Sequence, residues 1–309
     1  MFVGREAELA KLESLYEQRS FQMAVVYGRR RVGKTTLINE FCRGKRTLSF
    51  TALEQSDADN LADFNRAIAS FFNLPASLGG FLSWTDALSF VADRARTERF
   101  IFVFDEFPYA AMRNEALPSI FQVAIDRAFK ETDAFLILCG SNQGFMESNV
   151  LGRKSPLFGR RTAQIKVRDL GFKDAAKMLS GLSAQDAFKF YGCFGGVPYY
   201  LQQLDPSAGL KENLARLYFD PMGFLYGEPE GLIRQEFQEP AIYNSILRAV
   251  AAGANRAKQI ADRVGVAQTT LPRYLRALES VGIIEKAVPF GENIETSKRG
   301  IYRLSEPCY

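Results

Sequence analysis

A chain of 309 residues has room for two or three domains of ordinary size, and with 47% hydrophobic and 24% charged residues it reads as ordered and globular. It has no histidine, which excludes Ser-His and Cys-His catalysis and His-ligated metals. Its four cysteines (Cys42, Cys139, Cys193, Cys308) lack C-x-x-C spacing and read as free thiols. The net charge of +4 lies wholly at the C-terminal end: residues 1–240 carry 29 Lys/Arg and 29 Asp/Glu, residues 241–309 carry 10 and 6, which points weakly to an anionic partner there.

The first residues, Met1 to Glu6, reach charge at once without the apolar run of a secretory signal, which predicts a cytoplasmic address. Leu9, Leu12, Leu15 and Tyr16 recur at helical spacing over 5–19, and the apolar stretch 21–27 predicts a strand feeding a glycine-rich loop and then a helix from Thr35. A second strand is expected at 47–52, helices at 57–72 and 83–96, a strand at 100–104, a helix at 118–129, and strands at 134–139 and 162–167. The apolar runs are too short for a membrane span, which takes about 20 residues. Short apolar strands alternating with helices predict a parallel sheet covered on both faces. From 172 to 238 helical patterns take over, interrupted by Gly195-Gly196-Val197-Pro198. Helices at 241–252, 256–264 and 268–281, then strands at 283–288 and 300–304 across a polar loop, have the pattern of a winged helix-turn-helix. Three domains follow: a core over 1–170, a helical lid over 171–238 and the winged helix over 239–309.

Gly28-Arg29-Arg30-Arg31-Val32-Gly33-Lys34-Thr35 is a complete Walker A loop between a strand and a helix. Its glycines let successive N–H groups turn toward phosphates, Lys34 reaches the β- and γ-phosphates, and Thr35 completes the shell of a Mg²⁺ ion. The expected nucleotide contacts are Gly28, Arg31, Val32, Gly33, Lys34, Thr35 and Thr36. Arg29 to Arg31 fill variable positions, and not all three are expected at the phosphates. Asp105, ending a buried strand, fits the Walker B carboxylate that holds the metal. Glu106 beside it can orient or deprotonate a water. Ser141, after the fourth strand, reads equally as a γ-phosphate sensor or a strand-ending turn. The pattern leaves Arg160 open between a phosphate-facing and a surface arginine.

These residues resemble the archaeal-type prokaryotic ATPases of the STAND branch of the AAA+-like P-loop proteins, related to origin-recognition ATPases. The resemblance is carried by Phe2-Val3-Gly4-Arg5-Glu6, the Walker A loop, Asp105-Glu106-Phe107-Pro108, Gly140-Ser141, Ser155-Pro156-Leu157-Phe158-Gly159-Arg160 and Gly195-Gly196-Val197-Pro198-Tyr199-Tyr200-Leu201. It implies an α/β P-loop NTPase with an AAA+-like parallel sheet, an all-helical lid and a C-terminal winged helix. It also implies that Phe2, Val3, Gly4 and Arg5 lie near the adenine, that Pro198 closes over the base, and that Arg160 faces phosphate in its own subunit or a neighbour's. Many family members continue past the winged helix into a restriction-like nuclease domain, whereas this chain stops at Tyr309. It is either naturally short or a piece of a longer protein, and no nuclease function is read from it.

In the expected recognition helix Leu271, Leu275 and Leu278 fall at core spacing, leaving Thr269, Thr270, Arg273 and Arg276 for phosphates and base edges. The module either binds duplex DNA or packs on the ATPase core as a switch. The expected function is a Mg²⁺-dependent ATPase switch cycling between ATP and ADP, whose partners are ATP and either duplex DNA, a second copy or another protein, with no membrane. The alternative is a nucleotide-gated DNA-binding or scaffold regulator with negligible turnover.

Overall fold

The computed structural model describes residues 2–75 and 79–309, which divide into two compact units, 2–168 and 169–309. In the first, α1 (Glu6–Tyr16), β1 (Gln22–Tyr27), α2 (Lys34–Cys42), β2 (Thr47–Thr51), α3 (Asp57–Phe72), α4 (Trp84–Ala95), β3 (Ile101–Asp105), α5 (Phe107–Arg113), α6 (Leu117–Arg127), β4 (Phe135–Gly140), α7 (Gln143–Phe145) and β5 (Ala163–Lys166) follow one another. The sheet is parallel, in the order β2-β3-β4-β1-β5.

Alternation along the strands builds two cores. Met23, Val25, Phe102, Phe104, Leu136 and Leu138 face α3 to α6, whereas Ala24, Val26, Ile101, Val103, Phe135, Ile137 and Cys139 face α1 and α2. The first face is aromatic: the Phe64 ring stacks on Trp84 and on Phe102, at 5.4 and 5.5 Å.

Two features depart from the sequence reading. Residues 107–113, to which the sequence reading assigned no element, form α5; Pro108 falls in its first turn, where a missing N–H costs nothing. The segment after β4 forms α7 and a π-helical turn, Met146–Val150.

The second unit holds α8 (Phe172–Met178), α9 (Ala184–Phe194), α10 (Pro198–Leu201), α11 (Leu210–Leu214), α12 (Glu228–Glu236), α13 (Pro240–Ala251), α14 (Ala257–Val264), α15 (Leu271–Ser280), β6 (Ile284–Ala287) and β7 (Ile301–Leu304). One hydrophobic cluster runs from Leu170 to Leu225, and another joins Leu232 and Ile233 of α12 to α13, α14, α15 and β6. By packing, α12 (Glu228–Glu236) therefore belongs with the winged helix, although it lies before the expected boundary at 239. Cys308 returns to the first cluster, and the Tyr309 hydroxyl donates to the Pro229 carbonyl at 3.0 Å. Helix α15 begins at Leu271 rather than 268, because Ala267 to Thr270 close a turn (Thr270 N–H to Ala267 O, 2.9 Å) and Pro272 sits in the first helical turn. Strands β6 and β7 pair antiparallel, Ile284 opposite Leu304. Among the described residues no helix is long and apolar enough to cross a membrane.

Candidate functional site

The loop leaving β1 is held by close approach. A Cβ on Gly28 would lie 2.2 Å from the Val167 carbonyl oxygen, and the Val167 N–H donates to Tyr27 O at 2.7 Å, so only glycine lets the loop begin beside the end of β5. Arg31 and Gly33 take left-handed conformations (φ 70° and 90°), turning the backbone so that Gly33 caps α2. The N-terminus of α2, with no acid in its first turn, offers unpaired N–H groups and a partial positive charge to an anion. Lys34 is buried and its Nζ donates to the Arg29 carbonyl at 3.0 Å, a bond that phosphate oxygens can replace. Val32 is buried beneath the loop, and Thr36 is exposed.

Thr35 and the Walker B carboxylate meet. The Thr35 hydroxyl donates to Asp105 Oδ2 at 3.2 Å, while Asp105 Oδ1 accepts the Glu106 N–H at 2.9 Å. Two hard oxygen ligands side by side fit a magnesium ion that takes the rest of its shell from phosphates and water. Cys139 lies next to Asp105; burial first, then the Asp105 charge, push its thiol well above the usual range, so it remains neutral there.

Glu106 adopts a left-handed conformation (φ 50°, ψ 41°) at the head of α5, an uncommon state for a residue with a side chain. Its Oε2 accepts both the Ser141 N–H, at 3.1 Å, and the Ser141 hydroxyl, at 2.8 Å. Gly140 makes this contact possible, since a Cβ there would lie 2.7 Å from Pro108 Cδ and 2.8 Å from Met146 Sδ. The end of β4 thus closes on the start of α5 and sets serine against glutamate.

Arg5, left-handed at φ 73°, donates to the carbonyls of Val32, at 3.0 Å, and of Arg168, bracing the back of the loop. Phe2 packs on the core beneath α1 and α2, Val3 is half-buried, and Gly4 turns the chain at φ 66°. All four residues sit beside the loop. Pro198 opens α10 in the second unit, where a Cβ on the nearby Gly196 would lie 1.9 Å from the Leu170 carbonyl oxygen. That approach accounts for Gly196, while Gly195 takes a positive φ of 71° at the end of α9.

Arg160 is not brought to the loop of its own chain. Its guanidinium holds Asp126 of α6, with Nε at 3.1 Å from both carboxylate oxygens and Nη2 at 2.5 Å from Oδ2, and Nη1 donates to Pro156 O at 2.7 Å. The neighbouring Thr162 N–H bonds Met23 O, at the start of β1, while the loop leaves the other end at Tyr27. Four residues of strand separate the two ends by about 13 Å. The expected phosphate-facing role in its own subunit is not what this arrangement shows: the guanidinium is engaged by Asp126, on a segment that pairs with the start of β1 rather than with the end that carries the loop.

Sequence reasoning missed the bond from Arg30, in the loop, to the Tyr109 hydroxyl on α5. No signal in the pattern marked Tyr109, because α5 itself was unforeseen. In the winged helix Thr269, Thr270, Arg273 and Arg276 are all exposed, but the threonines stand in the turn before α15, and Arg273 is paired with Glu239 at 2.7 Å.

A parallel sheet with its P-loop after a central strand and paired acids at the end of the next strand but one defines the AAA+-like P-loop ATPase fold. Residues 2–204 match the family of ATPase domains predominantly from Archaea, and residues 245–287 match the IclR helix-turn-helix domain; the chain belongs to that archaeal ATPase family. An uncharacterised protein of Methanocaldococcus jannaschii is 32% identical over 99% of this chain, which spans 66% of that relative's length. A Walker-type ATPase of Pyrococcus abyssi superposes with a TM-score of 0.67 at 20% identity, covering 99% of this chain and 94% of that one. The ORC2 protein of Aeropyrum pernix, solved in ADPNP–ADP complexes, gives 0.60 at 14% identity, covering 97% and 89%.

Proposed function

We propose that the protein binds ATP with Mg²⁺, hydrolyses it to ADP and phosphate, and uses its nucleotide state to govern a winged helix that binds duplex DNA. The observation that carries the hydrolytic reading is the carboxylate of Glu106. Ser141 occupies Oε2 with two hydrogen bonds, and Oε1 has no protein donor among the described residues, so a fixed acceptor is left for water. In this reading Lys34 exchanges the Arg29 carbonyl for phosphate oxygens, and the α2 N-terminus binds phosphate through its N–H groups. Glu106 orients the attacking water and takes its proton. Thr35 and Asp105 hold Mg²⁺, which supplies Lewis-acid neutralisation of the phosphate charge.

The test is Glu106→Gln with steady-state phosphate release and nucleotide binding measured side by side. ATP binding should persist while turnover falls about a hundredfold or more. Equal, negligible turnover in parent and variant removes the hydrolytic reading and leaves a nucleotide-gated module.

The DNA reading rests on the exposed Thr269, Thr270, Arg273 and Arg276 and on the excess of cations over residues 241–309. Arg276 makes no ion pair among the described residues, so Arg276→Glu is the cleaner variant; Arg273→Glu would also oppose Glu239. Salt-dependent binding of a duplex should fall steeply in Arg276→Glu. Absence of any duplex binding by the parent protein at low salt rules this part out.

A further inference from the structure

Two side chains that the nucleotide chemistry leaves unused meet between the phosphate loop and α5. Arg30 stands between Gly28 and Gly33, half-buried, and its Nη2 donates to the Tyr109 hydroxyl. Among the described residues Arg30 makes no ion pair, so its charge is directed at a neutral partner on another element.

Tyr109 lies in the first turn of α5, just past Glu106, and its N–H donates to the Glu106 carbonyl at 3.0 Å. A seven-residue helix with proline in its first turn has little stability of its own, so contacts with the rest of the fold set where it begins. On its inner side those contacts are apolar: Phe107, Ala110 and Ala111 are buried, and the Phe107 ring meets Phe104 at 5.4 Å and Phe121 at 5.5 Å. They hold the helix against the core, but apolar burial is non-directional and resists sliding only weakly. Directional contacts come from Ser141 of the β4 end, on Glu106, and from Arg30 of the phosphate loop, on Tyr109. Glu106 stays left-handed between them, a conformation that persists where the surrounding structure over-determines it.

We infer that Arg30 and Tyr109 are a positioning pair for the hydrolytic step: their bond ties the first turn of α5 to the phosphate loop, and so fixes the Glu106 carboxylate relative to the phosphate that the loop holds. The inference rests on the hydrolytic reading proposed above and adds to it two residues that act through Glu106 rather than on the nucleotide. Ser141 orients the carboxylate, whereas Arg30 and Tyr109 place the helix that carries it. A misplacement of about 1 Å at a reacting group costs up to about a hundredfold in rate. Lys34, Thr35 and the α2 N-terminus hold the nucleotide without passing through α5, so the pair should act on kcat and leave KM alone.

The experiment measures steady-state phosphate release, ADP affinity, thermal melting and amide hydrogen exchange over 107–113 in the whole chain. Tyr109→Phe keeps the ring and removes the hydroxyl. Its kcat should fall about tenfold and exchange over 107–113 should quicken, while KM for ATP, ADP affinity and melting temperature stay at the parent's values. Arg30→Met should behave in the same way, and Arg30→Lys should retain most of the rate. Because the two residues act through one bond, the double variant should be no slower than the slower single. A lowered melting temperature with kcat intact, or losses that multiply in the double variant, overturns the pair. A raised KM or weakened ADP binding in Arg30→Met, with Tyr109→Phe matching the parent, overturns it too and assigns Arg30 to the phosphates. A parent protein with no turnover overturns the hydrolytic reading and this role with it.

Discussion

Ser141 shows how one hydroxyl governs the chemistry of a neighbour. Its N–H and O–H converge on one oxygen of Glu106, so the carboxylate has a single orientation in spite of its flexible stem. In Ser141→Ala the N–H remains but the stronger bond goes, and the carboxylate gains freedom to swing from the water. Turnover should fall about tenfold, with KM for ATP unchanged and the rate restored in Ser141→Thr. A rise in KM without a fall in kcat would show that Ser141 contacts nucleotide rather than Glu106. Lys34, Thr35, Asp105 and Glu106 were legible in the sequence, because a phosphate loop demands those types at those spacings. The partner of Ser141 was not, since the contact depends on Gly140 letting two distant segments close. The bond from Arg30 to Tyr109 was hidden because α5, which carries Tyr109 and has Pro108 in its first turn, was not read from the sequence.

The strands of the sheet were legible as elements: β1, β3 and β4 as continuous apolar runs buried throughout, and the edge strands β2 and β5 as shorter stretches that alternate buried and less buried positions. What sequence could not supply was which end of the sheet a loop residue occupies, and Arg160 is the case in point. The segment before β5 lies under the start of β1, where Arg160 meets Asp126. That pair has a pH signature. The hydrogen bond from Arg160, and then that from Lys130, lower the Asp126 carboxyl from 3.8 to about 2. A depressed folded value means that the contribution to stability is complete above 3.8 and disappears as pH falls toward about 2. Solvent screens the exposed carboxylate, so the effect is small. Asp126→Asn should lower the melting temperature slightly at neutral pH and flatten its decline between those two values. A melting curve that matches the parent at every pH removes the pair from the stability of the fold. Arg160→Ala should leave turnover unchanged in dilute protein, because the guanidinium is held by Asp126 and Pro156 O. A loss that emerges only as concentration rises would instead assign it to a neighbouring copy's nucleotide.

At the scale of the molecule, the proposal requires that nucleotide and duplex speak to each other through the chain, and thermodynamics constrains how. If ATP raises duplex affinity over that with ADP by some factor, duplex must raise the preference for ATP over ADP by the same factor, since the four states close a cycle. Coupling of this kind amounts to about 5- to 150-fold, and the sign is free: either nucleotide can favour the DNA-bound form. Glu106→Gln makes the measurement practical, because slow turnover keeps ATP in place while duplex is titrated. Affinity for duplex should differ between Glu106→Gln with ATP and the same variant with ADP, and the ATP-to-ADP affinity ratio should shift by an equal factor when duplex is saturating. Arg276→Glu supplies the control, since it weakens duplex binding while leaving the residues of the loop unchanged and should leave the nucleotide ratio insensitive to added DNA. Equal duplex affinities in the two nucleotide states would dissolve the switch while sparing both sites, and the ATPase and the winged helix would then be two activities on one chain with no energy exchanged between them.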